Sequence, residues 1–129
     1  MTTPQRHILA VNDSDEVLAI FRQLLEEESY RVTTQPYALK DMAGLRADVP
    51  DLIILDYMWA GDDNGWSMLQ MLRMDRATAR TPIILCTGAK REIEDLGDRL
   101  TEQNVRVILK PFDIDELLGM ITQEFDKAS

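Results

Sequence analysis

"DLIILDYM", residues 51–58, holds an unbroken apolar run, Leu52 to Leu55, that ends abruptly in an aspartate, Asp56. A run this short and this uniformly apolar reads as a strand buried on both faces, the habit of a parallel sheet covered by helices. Three further runs have the same character: "HILAV" (7–11), "PIILC" (82–86) and "VRVIL" (105–109). A fifth segment, "YRVTTQ" (30–35), is β-branched but more polar, as an edge strand would be.

Helical patterns fill the intervals. In 14–28, Val17, Leu18, Phe21, Leu24 and Leu25 mark one face, with Ser14 or Asp13 as N-cap. In the last helix, Asp113 and Glu116 form a capping-box-like pair ahead of Ile114, Leu117, Leu118, Ile121 and Phe125. Residues 36–46 and 65–75 carry shorter stripes, the second capped by Asn64, and 90–103 carries a thin one of Ile93, Leu96 and Leu100 around a costly Gly97. A strand followed by a helix, five times over, implies a parallel sheet with helices on both faces and right-handed crossovers.

The 129 residues suit a single domain, 1–129 with a core of about 6–126. A net charge of −9 disfavours nucleic acid and anionic membrane surfaces, so partners should be cationic, metallic or apolar. Cys86 is the only cysteine, which rules out an internal disulfide and gives no hint of an oxidising compartment. The first residues, MTTPQRH, lack an apolar signal segment, and no stretch approaches 18 apolar residues, so a cytoplasmic protein is expected. His7 has no second histidine with which to build a metal site or a triad.

In a doubly wound sheet, ligands gather outside the carboxyl ends of the strands. Here those ends carry Asn12 and Asp13, Asp56, Thr87 and Lys110. With the flavodoxin-like order 2-1-3-4-5, strands 1 and 3 are neighbours about 4.8 Å apart, which brings Asp13 close to Asp56. Two carboxylates so near repel unless a cation or proton intervenes, and a hard divalent ion such as Mg²⁺ suits them. Lys110 starts two strands away, roughly 10 Å, and must reach back across the crevice. The set of an acid pair, a central aspartate, a hydroxyl and a lysine suits phosphoryl transfer onto a carboxylate.

On "ILAVND" (8–13), "DLIILDYM" (51–58), "PIILCTGA" (82–89) and "VILKPF" (107–112), in that order, the chain resembles the receiver domain of two-component response regulators. The resemblance runs from Arg6 to about Phe125. It implies that Asp56 accepts a phosphoryl group from a sensor histidine kinase or phosphotransfer protein, that Asp13, Asp56 and the Met58 backbone carbonyl bind Mg²⁺ with Asn12 helping through water, and that Thr87 and Lys110 contact the phosphoryl group. It also implies a cis Lys110–Pro111 peptide. The output would be contact with a downstream protein through residues about 90–126, by a monomer or weak dimer. Three positions depart from the family pattern: Asn12 replaces an acid, the loop after Asp56 is one residue long with Ala60 in place of a proline, and Val107 replaces a rotating aromatic ring. Met58 and Ala89, both unable to orient an attacking water, imply slow self-dephosphorylation.

Other readings compete. A lone strand-end aspartate often only caps the next helix, and Asp13 gains its weight from Asp56 and Lys110. "DDNG" (62–65) fails as a calcium loop, since positions 1 and 12 would be Ala60 and Met71. A phosphatase using an aspartate nucleophile would want a second aspartate where Met58 stands. A pseudo-receiver, an interaction module that is never phosphorylated, finds its argument in Asn12. Cys86 reads as a small buried hydrophobe, and Trp59 and Trp66 as packing residues beside the loop.

Overall fold

The computed structural model describes residues 5–36, 42–56, 64–88 and 98–127. Five strands, β1 (His7–Val11), β2 (Arg31–Gln35), β3 (Leu52–Asp56), β4 (Ile83–Thr87) and β5 (Val105–Leu109), form one parallel sheet in the order β2-β1-β3-β4-β5. The helices are α1 (Asp15–Glu27), α2 (Ala43–Ala47), α3 (Asn64–Met74) and α4 (Ile114–Lys127). A further helical stretch is seen at 98–102. The doubly wound, flavodoxin-like fold expected from the four apolar runs is therefore the fold observed.

Side-chain alternation along each strand sorts the core into two layers. Ile8 and Ala10 of β1, Leu52 and Ile54 of β3, and Ile84 and Cys86 of β4 pack against Leu18, Phe21 and Leu25 of α1 and Leu117, Ile121 and Phe125 of α4. The intervening residues, Leu9, Val11, Ile53, Leu55, Ile83 and Leu85, pack against Leu45 of α2, Leu69 and Leu72 of α3, and Leu100. Both faces being covered, the central strands carry no polar alternation, which is why they read as continuous apolar runs. Each fully buried Leu or Ile side chain contributes roughly 1.5–3 kcal/mol.

Local chemistry sets the ends of α1. The Ser14 hydroxyl accepts the Val17 N–H at 3.3 Å, and Asp15 and Glu16 place negative charge at the positive end of the helix dipole. At the other end Tyr30 N–H reaches the Leu25 carbonyl at 3.1 Å and Ser29 N–H the Glu26 carbonyl at 2.9 Å, the paired bonds of a Schellman ending. Ser29 takes the left-handed conformation this requires, with φ 70. Tyr30 then packs its ring against Phe125, with centroids 5.5 Å apart.

Several boundaries differ from the expectation. β3 and β4 extend one residue further than the apolar runs, so Asp56 and Thr87 are themselves the last ladder residues. Asn64 is the first residue of α3 and not a cap outside it. The Asp113 carbonyl accepts the Glu116 and Leu117 N–H groups at 3.1 and 3.3 Å as α4 begins. β5, expected to be buried, is an edge strand. Only Val105 and Ile108 are buried on it, and Leu109 is 40% exposed. Of the patterns over 36–46 and 90–103, residues 37–41 and 90–97 lie outside the described residues.

Candidate functional site

The carboxyl edge of the sheet is assembled by register. β1 pairs with β3 through Val11 and Leu55, which sets Asn12 opposite Asp56 and Asp13 one residue beyond. β3 pairs with β4 through Asp56 and Cys86, and β4 with β5 through Thr87 and Leu109. The Lys110 N–H then donates to the Thr87 carbonyl at 2.9 Å, carrying the hydrogen-bond ladder one step past the end of β5.

Asp56 continues the Leu52–Ile54 row and is 4% exposed. A carboxylate so buried requires a counter-charge, and Lys110 supplies it, its Nζ standing 3.2 Å from Asp56 Oδ1. The reach across two strands expected of Lys110 is made by its stem, while the ammonium end stays partly open to solvent. The peptide that follows, Lys110–Pro111, is cis, as the resemblance implied. Thr87 is wholly buried at the end of β4.

At the end of β1, Asn12 is buried while Asp13 is exposed. The Asn12 Oδ1 accepts the Ser14 N–H at 2.8 Å, closing a tight turn with Asp13 at its apex. Cys86, the register partner of Asp56, is desolvated by burial, which pushes its thiol up to about 12; Lys110 opposes this and Asp56 adds to it. It is a protonated, unreactive thiol at neutral pH. Val107 is half-buried against the layer that contains Leu85 and Leu100. Met58, the loop 59–63 with Trp59, and Ala89 lie outside the described residues, as does the Trp66 side chain.

A hard divalent cation fits the donor set only in part. Asp13, on the turn after β1, and Asp56, at the end of the neighbouring β3, offer carboxylate oxygens, and no group of three acidic, cysteine or histidine side chains that could hold a metal ion occurs among the described residues. Such an ion, keeping several waters, needs no more than one or two carboxylates.

Residues 8–122 match the model of the response regulator receiver domain. The chain belongs to the response regulator receiver family. Among curated relatives, this receiver is 33% identical over 113 residues to the alginate biosynthesis transcriptional regulatory protein AlgB of Pseudomonas aeruginosa, covering 88% of this chain and 24% of that one. It is 32% identical over 121 residues to the phosphate regulon transcriptional regulatory protein PhoB of Rhizobium meliloti, covering 94% of this chain and 52% of the relative. The receiver thus spans about a quarter to a half of the length of these transcriptional regulators. In fold it is similar to a two-component response regulator from Clostridium difficile, with a TM-score of 0.81 at 18% identity and coverage of 97% and 99%. The chemotaxis protein CheY4 of Vibrio cholerae gives 0.75 at 23%, with coverage of 93% and 98%. Receiver domains are signalling domains and generally not enzymes.

Of the residues singled out in the sequence, the receiver fold brings Asp56 and Lys110 into direct contact, joins Lys110 to Thr87 through the backbone, and sets Asp13 on a turn beside Asp56. Sequence reading saw Ser14 only as a helix cap and missed it as the anchor of the Asn12 turn. The Asn-x-Ser spacing at a strand end was the available signal.

Proposed function

We propose that this receiver accepts a phosphoryl group on Asp56 from the phosphohistidine of a sensor kinase or phosphotransfer protein and signals through protein contacts. The observation that carries the proposal is the ion pair between a buried strand-end carboxylate and a lysine from the edge strand, 3.2 Å apart. Among the described acids near this edge, Asp56 is the one that is both buried and paired with a lysine.

An Asp56 carboxylate oxygen bonds to phosphorus as the phosphorus–nitrogen bond of the phosphohistidine breaks. The imidazole leaves with the bonding electron pair and takes up a proton. Lys110 transfers its charge from the carboxylate to the incoming phosphoryl oxygens, and Thr87 offers them a hydroxyl donor. Both act by placing positive charge and hydrogen-bond donors where negative charge collects. Bound Mg²⁺, held by Asp13, Asp56 and the Met58 carbonyl, would neutralise phosphoryl oxygen charge.

Phosphorylation changes the charge that Lys110 answers to, and that change reaches β5 and the residues after it. Residues about 90–126 are thus our candidate surface for a downstream protein, with the receiver acting in the cytoplasm as a monomer or weak dimer. Among the described residues no helix is long and apolar enough to cross a membrane.

Incubation with Mg²⁺ and a small phosphodonor should add one phosphoryl group to the wild type by intact mass, and none to Asp56→Asn. A wild type that gains no mass from donor or kinase, yet still binds its partner, would favour the unphosphorylated pseudo-receiver.

A further inference from the structure

Asn12 stands where the receiver pattern has an acid, and its own bonds describe a different task. It is 4% exposed, and its backbone N–H donates to the Gln35 carbonyl at 3.2 Å, prolonging the β1–β2 ladder by one residue. Its Oδ1 accepts the Ser14 N–H at 2.8 Å, and the Ser14 hydroxyl accepts the Val17 N–H at 3.3 Å in the first turn of α1. Asp13 therefore rides on an arch pinned to the sheet at one end and to a helix cap at the other. The amide orientation follows from chemistry: turned over, it would set an NH₂ against the Ser14 N–H. One lone pair of the oxygen is given to Ser14, and the other arm of Asn12 is an NH₂, which has no lone pair for a cation or for the hydrogen of a metal-bound water, so the oxygen's first commitment is to the turn.

We infer that Asn12 is a positioning residue for Asp13: its oxygen holds the 12–14 turn that aims Asp13, and its neutrality keeps the site one negative charge below the acidic pattern. The inference rests on the cation-dependent reading of Asp13 and Asp56 above.

Mn²⁺, which favours the same oxygen ligands as Mg²⁺, is the probe, titrated into the full chain with free ion read by electron paramagnetic resonance. Asn12→Ala should weaken Mn²⁺ binding by about 10- to 100-fold, the usual effect of removing a group that orients a ligand. In an Asp13→Asn background the same substitution should change affinity by a factor near one, because its effect passes through Asp13. Asn12→Ser, whose hydroxyl can close the same turn more weakly, should recover much of the loss. Asn12→Asp keeps the turn acceptor and adds a charge, so it should bind Mn²⁺ roughly tenfold more tightly than wild type. Hydrogen exchange at the Ser14 amide should be slow in wild type and Asn12→Asp and fast in Asn12→Ala. Equal losses in the two Asp13 backgrounds, or unchanged affinity despite fast Ser14 exchange, overturn the inference. A wild type with a protected Ser14 amide that binds no Mn²⁺ overturns instead the cation-dependent reading on which it rests.

Discussion

Asp56 and Cys86 face one another across β3 and β4, both buried but in different company. The carboxylate has the Lys110 ammonium 3.2 Å away, whereas desolvation by burial pushes the thiol up to about 12. Iodoacetamide at pH 8 should therefore leave the folded chain unmodified and add one carbamidomethyl group in denaturant, as intact mass will show. Appreciable labelling of the folded state would mean that β4 is less well covered than the structure describes. At this scale the sequence was legible where a polar residue interrupts an apolar run, which exposed Asp56, Thr87 and Lys110. It was illegible where a partner lies two residues away in a turn, as with Asn12 and Ser14. There the direction of a side-chain oxygen decides the role, and spacing alone does not reveal it.

Element ends carry the next set of expectations. Ser29 pays for the Schellman ending of α1 with a left-handed backbone, which costs an ordinary L-residue of order 1–2 kcal/mol. Ser29→Gly should stabilise the chain by roughly 0.5–1 kcal/mol in urea unfolding, the remainder being lost to the freer unfolded chain. Arg73, in the last turn of α3, donates to four backbone carbonyls: Gln103 at 2.8 Å, Thr78 at 2.9 Å, Thr81 at 2.8 Å and Asn104 at 3.3 Å. It clamps the end of α3 to the turns that precede β4 and β5. Arg73→Met should cost about 2–4 kcal/mol by the same measurement, and lysine should not restore it because it lacks the planar fork. The apolar stripe of α3 announced the helix but not this clamp, whose acceptors are backbone atoms distant in sequence. In β5 composition and order point different ways: "VRVIL" reads as core, while the order 2-1-3-4-5, expected and observed, puts the strand on the edge.

Across the whole molecule, surface ion pairs add to the core in joining elements, Arg31 of β2 to Asp48 after α2 and Arg46 of α2 to Asp75 after α3. Hydrogen bonds from Arg31, with a further pull from His7, hold the Asp48 carboxyl below the ordinary aspartate range. Hydrogen bonds from Arg46 and then from the Ala77 N–H do the same for Asp75. Their folded pKa values lie below the unfolded ones. The stability they provide is thus present above about pH 4 and lost as pH falls through the folded values. Urea midpoints should drop between pH 5 and pH 3, and Asp75→Asn should flatten that decline. A pH profile identical to wild type would remove Asp75 from the account.

The site draws on chain positions 12, 13, 56, 87 and 110, two from the end of β1 and one each from the ends of β3, β4 and β5. No two neighbouring strands in this set are joined by a short hairpin, so no local fragment can rehearse the arrangement. During synthesis Asp56 emerges long before Lys110, and for that interval the ammonium that pairs with it in the folded sheet is missing. The site proposed above is therefore a product of the finished sheet: in a nascent chain Asp56 is made before the residue that answers its charge.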